Sequence, residues 1–217
     1  MPTQDARRGG ESLEEAALVR AATGGDRASL ERLLLAHYDA LARRLAAKLP
    51  SRLQATQAVE DILQLTFFQA FRDIARFEPR AGAGFGDWLA RIADNRLLDA
   101  IKQHDRAKRG GDRQKLDDAA RDESGVMSLL DWIAANDTSP GSVIARGEAI
   151  AALHVALASL PHDQHEAIRL RLLEGKSLDE AASAMGRSSD AVRGLVQRGK
   201  QQLQTAMGRA SRWLSTK

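Results

Sequence analysis

A helical period runs through most of the 217-residue chain, and no apolar/polar alternation of the kind a strand needs lasts more than a few positions. That pattern confines the chain to an all-α fold, broken where glycines and prolines cluster. Gly24-Gly25 separates a helix over 12–22 from one reaching Leu49, where Pro50 stops it. A third helix spans roughly 57–77, the stretch EPRAGAGFG is irregular, and a fourth runs from about Gly86 to Lys108. Gly110-Gly111 opens an acidic segment with one apolar island, Val126 to Ala135, that ends near Ser139-Pro140-Gly141. Helices then return over 142–159, 162–173, 177–185 and 189–207. The organisation is two small helical domains joined by a flexible linker: residues 1–11 a disordered tail, 12–110 one domain, 111–141 the linker, 142–210 the second domain, and 211–217 a C-terminal tail.

Charge is distributed unevenly along this plan. The formal net charge is only +3. From Gly186 to Lys217, however, seven Lys/Arg face one acid, a net +6, whereas 112–138 carries seven acids and three bases, a net −4. A polyanion is therefore expected to meet the end of the chain and not its middle. The chain has no Cys, which excludes disulfides, Cys-ligated zinc and thiol catalysis. It also lacks an apolar run of the ~18 residues that a membrane helix requires and a secretory leader at its start, so a cytoplasmic protein without membrane insertion is expected.

The segment EGKSLDEAASAMGRSSDAVRGLVQRGKQQL has the layout of a helix-turn-helix. Ser177 and Glu180 make a capping box, Gly186 can end the first helix in the left-handed conformation, and Ser188 can cap the second. At 100° per residue, Val192, Leu195, Val196, Leu203 and Met207 share one face of that second helix. Ser189, Arg193, Gln197, Lys200, Gln201 and Gln204 share the other. Arg and Gln suit base edges in the major groove, while Lys and Ser suit phosphate. Arg198 adds a cation beside this face.

Two faces of the N-terminal domain also stand out. In VEDILQLTFFQAFRDIARF, the residues Val59, Leu63, Thr66, Phe67, Ala70, Ile74 and Phe77 make a core stripe, with Phe71 at its margin. The opposite arc holds Asp61, Gln64, Leu65, Phe68 and Arg72, a mixed apolar and polar patch of the kind that contacts protein. Coverage by another helix of the same domain is the competing reading. Beyond it, Phe77, Phe85 and Trp88 bracket the Gly-rich loop, followed by Asn95 and a basic tract of Arg96, Lys102, Arg106, Lys108 and Arg109. Aromatics, an amide and bases beside a loop suit single-stranded DNA. Phe77 and Trp88 fit the core better, and Phe85 could serve either purpose.

These features together resemble the extracytoplasmic-function group of bacterial RNA polymerase sigma factors. EDILQLTFFQAF is similar to the D-x-x-Q-x-x-F segment of its region two, and FGDWLARIADNRLLDAIKQHDR to its W-L-x-R-I-A-x-N-x-x-x-D segment. The sequence from LASLPHDQHEAIRLRLLEGKSLDE through the recognition helix is similar to region four. The resemblance implies that Asp61 and Gln64 dock core polymerase, and the patch read above adds Leu65, Phe68 and Arg72 to that face. The resemblance also implies that Asn95 contacts an extruded base of the −10 element, and the reading of the loop and basic tract places Phe85, Arg96, Lys102, Arg106, Lys108 and Arg109 around it. The resemblance implies further that Arg193 and Gln197 meet the −35 element, and the polar face of the same helix adds Ser189, Arg198, Lys200 and Gln201. The expected function is promoter recognition and strand opening with polymerase, without catalysis or cofactor; an anti-sigma factor is a further candidate partner. Three positions depart from the group's pattern: Leu65 stands where an acid is common, Asp94 precedes Asn95, and Arg187 follows the region-four glycine.

Other classes fit less of the chain. A stand-alone helix-turn-helix regulator leaves the N-terminal domain without a task and needs a dimer to read a full site. For an enzyme, His162, Asp163, His165 and Glu166 are the candidate cluster, which also reads as a charged helix start; His37, His104 and His154 stand singly. GAGFG lacks the Lys and the strand of a phosphate-binding loop.

Overall fold

The computed structural model describes residues 4–53, 58–79, 83–110, 129–133 and 146–214, with side chains at all of these except 4–12, 106–110, 146 and 213–214. Among them every regular element is helical. The helices are α1 (Gln4–Thr23), α2 (Arg27–Lys48), α3 (Val59–Asp73, followed by a 3₁₀ turn Ile74–Arg76) and α4 (Phe85–Gly110). A short helical segment α5 (129–133) follows. Then come α6 (Arg146–Ser159), α7 (His162–Ile168, continued by a π turn Arg169–Leu173), α8 (Leu178–Met185) and α9 (Ser189–Leu214). Most of the expected linker lies outside the described residues; its apolar island supplies α5.

Two expectations about the ends differ from what is observed. The first helix starts at Gln4 and not near Ser12, because no proline interrupts 4–11 and a formed helix gains one hydrogen bond per residue as it extends. The last helix continues to Leu214, through part of the segment read as a tail.

The local signals act where the sequence places them. Asp26 caps α2 by accepting from Ala28 N and Ser29 N, each at 3.2 Å. Ser177 Oγ accepts from Glu180 N at 3.2 Å, and Glu180 accepts from Ser177 N at 2.7 Å, which closes the capping box of α8. Gly186 ends α8 at φ 62°, ψ 35°, a left-handed conformation that only glycine adopts without strain.

One core joins α1 to α4 through Leu30, Leu33, Leu34, Ile62, Leu63, Phe67, Phe85 and Leu89. A second joins α5, α6, α7 and α9, and a third seats α8 on α7 and α9. Helix α6 belongs to two of them: Ala151, Val155 and Ala158 face the N-terminal core, while Leu153, Ala156 and Leu157 face the C-terminal one. Residues 151–160 are all buried, as expected of a helix that is apolar all round. Gly199 lets α9 approach α7 closely, since a Cβ there would stand 2.9 Å from Ile168 Cγ1.

Candidate functional site

Three faces carry the functional candidates, and α4 presents the most open one. Asn95 and Lys102 are exposed on α4, and no described residue hydrogen-bonds the Asn95 amide. Arg91 and Leu98 share their stripe at the i, i+3, i+4 spacing, and both are exposed. Leu98, at 51% exposure, is an apolar side chain in the middle of a basic surface. The sequence reading missed both; sorting α4 by angle from Asn95 would have found them. Arg106, Lys108 and Arg109 lie on the last turns of α4, with side chains outside the described set.

The acid beside Asn95 is neutralised within the domain. Arg44 donates to Asp94 at 2.7 and 3.2 Å, and Lys48 does so at 2.8 and 2.9 Å. These partners, the Arg44 hydrogen bond foremost, hold the Asp94 carboxyl below the usual carboxylate range. The departure at Asp94 thus adds no unbalanced negative charge to this face. Arg96 is partly engaged elsewhere, donating to Gln69 Oε1 at 2.7 Å and to Asp99 at 3.3 Å.

Phe85 corrects the sequence reading. It starts α4 rather than lying in the loop, and it is only 2% exposed. Its ring packs against Phe77, Trp88 and His37 at centroid distances of 6.0, 5.5 and 5.5 Å. A side chain enclosed in this way cannot stack on a base, so Phe85 is a core residue that sets the start of α4.

The α3 face is brought together as expected, but it is covered. Asp61, Gln64 and Phe68 are half-buried, Arg72 is exposed, and Leu65 is 50% exposed. The cover comes from the C-terminal domain and not from a helix of the same domain. His165 of α7 meets the Phe68 ring edge-on at 4.4 Å. A cleft of about 260 Å³ remains between Leu65, Phe68, Leu157, His165 and Leu173. Asp61 also has a structural role, accepting from Ala58 N at 3.1 Å at the start of α3.

On α9, Arg193, Gln197, Arg198 and Gln201 are exposed and Ser189 is half-buried. Arg193 pairs with Asp190 at 2.5 Å, and Ser189 Oγ bonds Asp179 at 2.7 Å, links that DNA binding would have to exchange. Lys200 sits 4.3 Å over the ring of Trp132 in α5, a cation–π contact that connects α5 to α9. Arg187 pairs with Asp163 at 2.6 Å and ties the helix-turn-helix turn to α7.

The His162–Glu166 cluster does not assemble a reaction centre. Asp163 is held by Arg187, Glu166 by Arg169 at 2.5 and 3.0 Å, and His165 by Phe68. No group of three metal-binding side chains converges among the described residues.

Among the described residues the helices pack into two groups that share α6, with a helix-turn-helix over α8 and α9 and an exposed amide on the helix α4. Comparison with known families defines the class. Residues 34–107 match Sigma-70 region 2, and residues 150–203 match Sigma-70, region 4. The chain is 29% identical over 191 residues to the ECF RNA polymerase sigma factor SigE of Mycolicibacterium smegmatis, covering 86% of this chain and 66% of that protein. It is 30% identical over 183 residues to BldN of Streptomyces coelicolor, also an ECF RNA polymerase sigma factor, covering 83% and 61%. With the ECF RNA polymerase sigma-E factor of Escherichia coli it shares 26% over 191 residues, covering 88% and 93%. The chain thus spans less than two thirds of the first of these relatives and nearly all of the third. The two Sigma-70 matches together span more than half of the chain, which belongs to that family and is similar to its extracytoplasmic-function members.

Proposed function

We propose that the protein recruits core RNA polymerase to promoters and helps to open them, acting in the cytoplasm by binding and not by catalysis. In this reading the α3 face of Asp61, Gln64, Leu65, Phe68 and Arg72 docks polymerase. Ser189, Arg193, Gln197, Arg198, Lys200 and Gln201 of α9 meet the −35 element in the major groove. The α4 stripe of Arg91, Asn95, Leu98 and Lys102 meets the −10 element, with Arg96, Arg106, Lys108 and Arg109 neutralising backbone. Asn95 has a free amide to hydrogen-bond an extruded base, and Leu98 is an apolar surface against which a neighbouring base can rest. An anti-sigma protein is a further candidate partner.

The observation that carries this reading is the α4 stripe. A simple repressor needs a duplex-reading helix such as α9, but it has no use for a second surface combining an unpaired amide, an exposed leucine and cations. No helix among the described residues is long and apolar enough to cross a membrane. Run-off transcription with core polymerase, with and without the protein, tests the proposal. Promoter-specific transcripts that depend on the protein are expected; repression, or no change, would contradict it.

A further inference from the structure

The face assigned to polymerase is already partly covered by the chain's own C-terminal domain, at Phe68 and beside Gln64. We infer that the protein is held closed by this contact, so that core polymerase and the α6–α7 segment compete for one surface on α3. The inference rests on the reading that this α3 face docks polymerase.

Three polar locks join the domains around the apolar seam. Arg209 of α9 grips Glu31 of α2 with contacts of 2.7 and 3.0 Å, and Glu31 is only 3% exposed. Tyr38 of α2 hydrogen-bonds His154 of α6 at 2.9 Å in a buried position. Arg27 at the start of α2 donates to the Ser159 carbonyl at the end of α6. These directional contacts fix one docking geometry, as a loose hydrophobic collapse would not.

The seam is nevertheless built to part. The residues that α6 sends into the N-terminal core are small, Ala151, Val155 and Ala158, so separation exposes little apolar area per side chain. Closure also leaves the Gln64 side-chain nitrogen buried without a hydrogen-bond partner, a penalty on a docking residue that opening removes. Contacts that specify the closed form, together with a cost lodged on the docking face, describe a two-state element that a competing ligand can shift.

The test uses the full chain. Its lack of Cys allows Ala46→Cys on α2 and Ala184→Cys on α8, both exposed positions, to carry a pair of distance labels. Arg209→Glu sets a like charge against Glu31 and should lengthen the label distance. It should also raise affinity for core polymerase about tenfold, because apparent affinity scales with the open fraction. Adding Glu31→Arg to Arg209→Glu restores the pair and should reverse both changes. Core polymerase added to the wild-type chain should likewise lengthen the distance.

Three results would overturn the inference: a folded Arg209→Glu chain whose labels stay close, an opened chain with unchanged or weaker polymerase affinity, or wild-type chain bound to polymerase with the short distance kept. Should Arg209→Glu not fold, Tyr38→Phe combined with His154→Leu opens the second lock without stranding a charge and carries the same comparison. Leu65→Ser in the opened background separates the two readings. If it leaves polymerase affinity unchanged, the docking assignment fails and not the closure.

Discussion

Helices α3 and α4 share one core and meet the outside in opposite ways. The α4 stripe faces solvent, with Asn95, Leu98 and Lys102 uncovered and the troublesome Asp94 neutralised by Arg44 and Lys48. The outer face of α3 is capped by α6 and α7, with His165 on Phe68 and Leu65 left half-open at the edge. On the proposed assignment, the face for DNA on α4 is open while the face for polymerase on α3 is partly covered, so control is expected at the protein–protein step.

The largest expected effect comes from the buried lock. Arg209→Ala would leave Glu31 charged and unpaired, and losing one partner of such a pair costs about 3–5 kcal/mol. Arg209 is itself about a quarter exposed, so the lower end of that range is expected. Urea denaturation should show it as an early transition that separates the domains, with the α3–α4 core still folded. A single unshifted transition would show that α3 is not held by this lock.

Acidification should break the same contrast. Burial pushes the imidazole of His154 down to about 4, from an ordinary value near 6.5. A histidine depressed in the closed form stabilises closure fully above about pH 6.5, and that stability fades as pH falls toward 4. The full effect is about 3 kcal/mol at the rate of ~1.4 kcal/mol per pH unit. His165, also pushed down to about 4 by burial, acts in the same direction. Tyr38, Glu60, Asp61 and Arg169 surround the two imidazoles. Small-angle scattering at pH 7.5 and 5 should show expansion on acidification, reduced in His154→Leu. An equally compact wild-type chain at both values would sink the prediction.

A smaller effect is expected at Gly199. A methyl there meets Ile168, and overpacking of this kind costs roughly 1–3 kcal/mol. Gly199→Ala should lower the thermal midpoint and loosen the closed contact, because α7 is both the helix that yields and the one that covers Phe68. Unchanged stability and label distance would mean that α7 placement does not depend on this approach.

The smallest effect belongs to the open face. Removing Arg44 leaves Lys48 to neutralise Asp94, and exposed ion pairs contribute only about 0–1 kcal/mol each. Arg44→Ala should weaken promoter binding by less than about fivefold, while Arg44→Ala with Lys48→Ala should weaken it further. A double variant with wild-type affinity would show that Asp94 does not face DNA.

What the sequence revealed and concealed follows the range of each interaction. Ser177, Glu180 and Gly186 act within one turn, so their capping roles could be read directly and are observed. The N-terminal candidates Asp61, Gln64, Leu65 and Phe68 do share a face, because helical periodicity determines that. Periodicity could not say what covers the face, since the cover lies about a hundred residues away. The one hint was the stretch AIAALHVALASL, apolar on every side of α6, which requires neighbours all round. Phe85 was misplaced because a start of α4 one residue earlier moves it from loop to core. The partners of Asp94 and Arg187 were invisible because Arg44, Lys48 and Asp163 come from other helices.

Permanganate reactivity of promoter thymines tests most directly whether the uncovered α4 stripe opens DNA. With core polymerase and wild-type protein, thymines near the start site should become reactive. Asn95→Ala should leave closed-complex binding through α9 nearly intact, lower that reactivity on duplex promoter, and recover most transcription on a template with a pre-melted bubble. Full reactivity on the duplex with Asn95→Ala would contradict the role assigned to α4. Equal loss on both templates would place the defect in folding or polymerase docking instead.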